Sequence, residues 1–144
     1  MALVSTAAVV RLEPRAMAEA ATRRSETVAG LVKQNARRVL LHDAGYLAYS
    51  GAVPVGIDMV GLKTPRAAAL HAQYTSPSCG TRRGEALEQL ARETSPTHLV
   101  IWEPWDNFFH VSESLRRAGW RVSRVGVVSH AEPISIYSLA APDR

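Results

Sequence analysis

Between residues 14 and 35, apolar side chains return every three or four positions, at Met17, Ala20, Ala21, Val28, Leu31 and Val32. That spacing lines one face of a helix. Pro14 suits its first turn and Asn35 its exit. The next apolar group, Val39-Leu40-Leu41, is too short for a helix and predicts a buried strand that stops at His42 and Asp43. At most two helical turns fit between residues 44 and 50 before Gly51. The stretch "AVPVGIDMVGL" then predicts a second strand, in which Pro54 and Gly56 favour an edge position or a bulge.

Thr64-Pro65 opens a helix, with the hydroxyl as cap and the proline ring in the first turn, and "RAAALHAQY" continues it. "TSPSCGTRRG" is a polar loop. Residues 82–94 give a further helix with Ala86, Leu87, Leu90 and Ala91 inward, stopped by Ser95-Pro96. Leu99-Val100-Ile101-Trp102 reads as a strand covered on both faces and ended by Pro104. A helix over 107–118 follows, with Phe108, Val111 and Leu115 inward and Gly119 at its stop. "WRVSRVGVV" and "PISIYSLA" are joined by only "SHAE", which predicts an antiparallel hairpin.

This order of elements predicts an α/β fold. Residues 1–144 form a single domain with a mixed, mostly parallel sheet of about five strands, helical crossovers and a C-terminal antiparallel hairpin. Residues 1–13 form an apolar N-terminal segment, either the first element of the domain or the trailing end of a membrane helix. The apolar run covers about half the length a membrane span requires. It lacks the charged start of a secretory signal. The chain itself is therefore expected to be soluble, without signal peptide or transmembrane helix.

Hydrophobic residues at 47% and charged residues at 21% fit a globular core. A single cysteine excludes an internal disulfide and a cysteine-based zinc site. The net charge of +4 lies wholly in residues 11–38, where seven Lys/Arg face three acids. Such a helix is a solvated face or a surface for anionic partners, membrane included. No aromatic residue interrupts it, so no nucleic acid is expected as a partner.

In an open sheet with helical crossovers, ligands gather beyond the carboxyl ends of the strands. That rule brings Asp43, Asp58 and Glu103 toward one rim, beside His42 and Trp105. Such a set could hold a hydrated cation, or sugar hydroxyls above an aromatic platform. Each acid also has a structural reading. Asp43 precedes a short helix and suits its cap; Asp58 sits in so apolar a run that it needs a partner; Glu103 precedes a proline and can face water. The five histidines, His42, His71, His98, His110 and His130, show no metal-ligand spacing, and no phosphate-cradling or nucleophile motif occurs. No catalytic residue, metal or cofactor is expected.

At "VLLHDAGYLAYSGAVPVGIDMVGLKTP" the sequence resembles the soluble C-terminal segment of polytopic bacterial membrane glycosyltransferases of the GT-C class, the group of protein O-mannosyltransferase-like and aminoarabinose-transferase-like enzymes. The matching positions are Asp43, Gly45 and Tyr49, then Asp58, Gly61 and Leu62, then Pro96, Thr97 and His98, with "ISIYSL" at the end. The resemblance covers roughly residues 15–139. It implies a place on the periplasmic face of a bacterial inner membrane and an accessory role beside sugar transfer from a lipid-linked donor. The acids that carry chemistry in that class lie between membrane helices, so it implies no catalytic residue here. The membrane part of such an enzyme, the membrane surface and a glycan are the partners it implies. Two other functions fit the residues: a stand-alone sugar-binding protein or small enzyme using the acidic edge, and a binding protein acting through the basic surface of residues 11–38.

Overall fold

The computed structural model describes residues 2–42, 45, 47, 50–51, 53–129 and 133–142, with side chains from Met17 onward. The chain begins with one long helix, α1 (Ala2–Lys33), about 48 Å at 1.5 Å per residue. Pro14 lies inside α1 rather than in its first turn, so the apolar opening and the basic stretch are one helix. No helix among the described residues is long and apolar enough to cross a membrane.

The second half of α1 covers one face of the sheet, but not through all the residues its periodicity suggests. Leu31 and Thr27 are fully buried, whereas Met17 and Val32 are 63% and 60% exposed. Thr27 enters the interior at little cost because its hydroxyl donates to the Arg23 carbonyl at 2.7 Å, which leaves its methyl group to pack. Gly30 lets the helix come close to the sheet: a Cβ there would stand 2.7 Å from the Ile136 side chain. Asn35, at φ 50°, turns the chain out of the helix as expected.

The strands are β1 (Arg38–Leu41), β2 (Val55–Asp58), β3 (His98–Trp102), β4 (Arg121–Val128) and β5 (Ile134–Ala140). They form one sheet in the order β2-β1-β3-β5-β4. β1 runs parallel to both β2 and β3, with Leu40 opposite Ile57 and Leu99. β5 is antiparallel to β3 and to β4. The α/β class, the five strands and the terminal hairpin are as predicted, but parallel pairing accounts for half of the sheet rather than most of it. β2, preceded by Pro54, is an edge strand, and β4 forms the other edge with a register shift between Arg124 and Gly126.

Alternation along β1 and β3 sends side chains into two cores. Val39, Leu41 and Val100 meet Leu31 under α1. Leu40, Leu99 and Ile101 pack beneath the other helices. Those helices are α2 (Pro65–Leu70), α3 (Arg83–Thr94), α4 (Glu103–Phe109) and α5 (Val111–Arg117). α2 continues through a π-helical turn at His71–Thr75 and a 3₁₀ turn at Ser76–Ser78.

The single helix expected over 107–118 is two. α4 starts four residues earlier, and His110, at φ 52°, breaks it from α5. The buried Asp106 carboxylate accepts from the Ser112 N–H at 2.8 Å and so satisfies a free donor of α5. The earlier start rotates the face: Phe108 is 75% exposed, and Phe109 takes the inward place. The short helix expected at 44–50 falls largely outside the described residues.

Candidate functional site

Because β1, β2 and β3 are parallel, their carboxyl ends reach a common rim, where the Met59 N–H extends the ladder by donating to the Leu41 carbonyl at 2.9 Å. His42 follows β1 there. Its imidazole lies 5.3 Å from the Trp105 ring, centroid to centroid. Trp105 in turn stands 4.8 Å from Phe109, one turn further along α4. The structure therefore brings His42 and Trp105 together, as the rim rule implies. Asp43 and Tyr49 lie outside the described residues.

The two remaining acids are engaged elsewhere. Asp58 is 1% exposed. Its two carboxylate oxygens accept from the Val60 N–H at 2.9 Å and the Lys63 N–H at 2.7 Å. Its own N–H donates to the Thr64 hydroxyl, which does not cap α2 as expected. A buried carboxylate is tolerated when charge-assisted hydrogen bonds replace its water, and here the loop from β2 to α2 wraps around it. Gly61 completes that loop at φ 101°; a Cβ would stand 2.7 Å from the Ala68 backbone nitrogen. Leu62 is 80% exposed beside it, and Gly45 is exposed. Glu103 accepts from Ser135 at 2.6 Å and from Arg124 at 2.9 Å, which ties α4 to β5 and β4. Among the described residues, no three His, Cys, Asp or Glu side chains are grouped to hold a metal.

The Pro96-Thr97-His98 stretch is likewise built into the sheet. The Thr97 N–H donates to the Arg38 carbonyl at 2.8 Å, and its own carbonyl accepts from the Leu139 N–H at 2.7 Å. His98 is buried, which lowers its pKa below the ordinary histidine value.

Trp105 forms one wall of a cleft of about 260 Å³ between the end of β2 and the helices. Met59, Leu87 and Phe109 supply further apolar lining, and His71 and Arg83 the polar groups. The Arg83 guanidinium sits over the Phe109 ring at 4.3 Å. The π-helical turn presents His71 and Thr75 to the cleft, and such turns recur at functional sites because they widen the helix locally. His71 Nε2 lies 2.8 Å from the Met59 carbonyl, which can only accept, so Nε2 carries a proton. Nδ1 lies 2.8 Å from the Thr75 hydroxyl. The ring is thereby fixed as a strut between the rim and the turn.

Sequence reasoning placed Trp105 at this site but not His71, Thr75, Arg83 or Phe109. The four-residue interval from His71 to Thr75, on a helix continuing past Thr64-Pro65, was the available signal. Arg83 stood where the expected polar loop and the expected helix over 82–94 overlap, and Phe109 was obscured by the misplaced start of α4.

The sequence profile of a family described as Domain of unknown function (DUF8728) matches residues 12–137. No curated protein and no solved structure matches the chain.

Proposed function

The chain belongs to the family described as a domain of unknown function (DUF8728), and we propose that it is a non-catalytic accessory domain of a membrane glycosyltransferase that draws on a lipid-linked sugar. In this reading it stands on the periplasmic face of the membrane, against the membrane part of the enzyme, and holds a sugar ring of the glycan in the cleft beside Trp105. The observation that carries the proposal is the aromatic wall of Trp105 and Phe109 at the carboxyl ends of the parallel strands, flanked by Arg83 and Thr75. A sugar presents an apolar C–H face and a rim of hydroxyls, and an aromatic wall edged by polar donors matches both. The size agrees: ligand sites for drug-sized molecules run from about 300 to 1,000 Å³, so 260 Å³ suits one monosaccharide unit rather than a chain.

The acidic edge gives a weaker footing for sugar binding, since Asp58 is bound to its own loop and Glu103 to Arg124 and Ser135. The proposal is tested by titrating the domain with a panel of monosaccharides and short glycans while following the Trp105 indole resonance. A saturable shift is the expected result, and the affinity read from the backbone amides of Arg83 and Leu87, which line the same cleft, should weaken at least about tenfold in Trp105→Ala (about 1.4 kcal/mol or more). If no sugar moves that resonance, the glycan-holding role fails. The enzyme context has its own check: a polytopic membrane protein should be encoded in, or next to, the same reading frame.

A further inference from the structure

A second cavity, of about 210 Å³, lies on the other face of the sheet, beneath α1. Its floor is apolar, with Val100 and Ile134, and its walls carry Arg23 and Arg24 of α1, His42 and Trp102. One feature sets it apart from ordinary packing. Arg23 stands one turn before the buried Thr27, on the side of α1 that faces the sheet, where an apolar residue would fill the space. The Trp102 ring lines the same cavity, and its Nε1–H, like that of Trp120 in the other core, is buried with no acceptor among the described residues.

We infer that the cavity beneath α1 binds a small organic anion, with its carboxylate held by Arg23 and Arg24 and its apolar body on Val100, Ile134 and the Trp102 ring. Arg23 and Arg24 also make contacts within the chain. A guanidinium has five N–H donors in a fixed fork, so an internal partner leaves others for a planar carboxylate. The volume equals about seven waters of bulk liquid, which limits the occupant to a short-chain or single-ring acid. This site lies on the opposite face from the glycan cleft and reports through Trp102 rather than Trp105, so either can fail without the other.

The test uses the ¹⁵N-labelled full chain, with the Trp102 indole resonance identified by its loss in Trp102→Phe. Butyrate and benzoate at constant ionic strength should shift it saturably, while the Trp120 indole, in the core of the other layer, stays in place. Arg23→Gln and Arg24→Gln should each weaken the binding at least tenfold; retention of the remaining amide spectrum certifies their fold. Butyramide should produce no saturable shift. The inference is overturned if neither acid moves the resonance, if butyramide acts as butyrate does, if only inorganic phosphate acts, or if both arginine variants bind with unchanged affinity.

Discussion

The His42 imidazole and the Trp105 indole meet at 5.3 Å with their planes inclined by 37°, joining the end of β1 to the first turns of α4. Tilted ring pairs of this kind contribute about 0.5–1.5 kcal/mol beyond their buried area. A double-mutant cycle with His42→Ala, Trp105→Ala and the double variant, read by urea unfolding, should return a coupling in that range. Simple additivity would mean that the two rings are neighbours without being partners.

Asp58 is expected to behave as a loop organiser. Asp58→Ala removes the carboxylate that the Val60 and Lys63 N–H groups share in a half-exposed loop, and should lower stability by about 1–3 kcal/mol. Sugar affinity, corrected for the folded fraction, should not change. A variant of undiminished stability with weakened sugar binding would instead place Asp58 in the site.

Gly61→Ala should cost about 1–3 kcal/mol, since it combines a left-handed backbone with a contact that only the main chain of α2 could relieve. Gly51, also at positive φ but with nothing near its absent Cβ, should tolerate alanine better. Equal melting-temperature losses in the two variants would show that backbone conformation, and not the approach to Ala68, decides the outcome.

Two pH windows follow from the ionisable groups. Burial holds the pKa of His98 below 6.5, so the unfolded chain takes up that proton first as the pH falls. Its contribution is complete above about pH 6.5 and is lost progressively below it. Glu93 is held at about 2 by hydrogen bonds from Arg66 and Gln89, against an ordinary value of 4.5. That contribution is present above 4.5 and fades toward 2. Urea midpoints measured down the pH scale should fall in both windows, with His98→Asn removing the upper step and Glu93→Gln the lower. A wild-type midpoint that stays level between pH 7 and 5 would contradict the burial of His98.

The parallel trio was legible because each strand is a short apolar run between helix signals, and the hairpin because its link is too short for a crossover. What escaped the sequence was the direction of side chains. Thr27 and Arg23 face inward while Met17 and Val32 face out, because a hydroxyl can be satisfied inside its own helix and a long guanidinium can line a cavity. The rim was placed correctly by topology, but Asp58 is absorbed by a loop whose amides turn toward it, a relationship between residues two and five apart that apolar periodicity does not register. His71 joined the cleft only through the π-helical turn, and nothing in its composition announces that widening.

The outer strands bear on how the domain behaves when crowded. β4 breaks step between Arg124 and Gly126 and carries Arg121 and Arg124 on its exposed stretch, while β2 is entered through Pro54, which offers no N–H to a visitor. A neighbouring molecule seeking to continue the ribbon would meet a kink and like charges on one side, and a missing donor on the other. The architecture thus discourages fibril-like growth at both flanks without spending any residue of the two cavities on that protection.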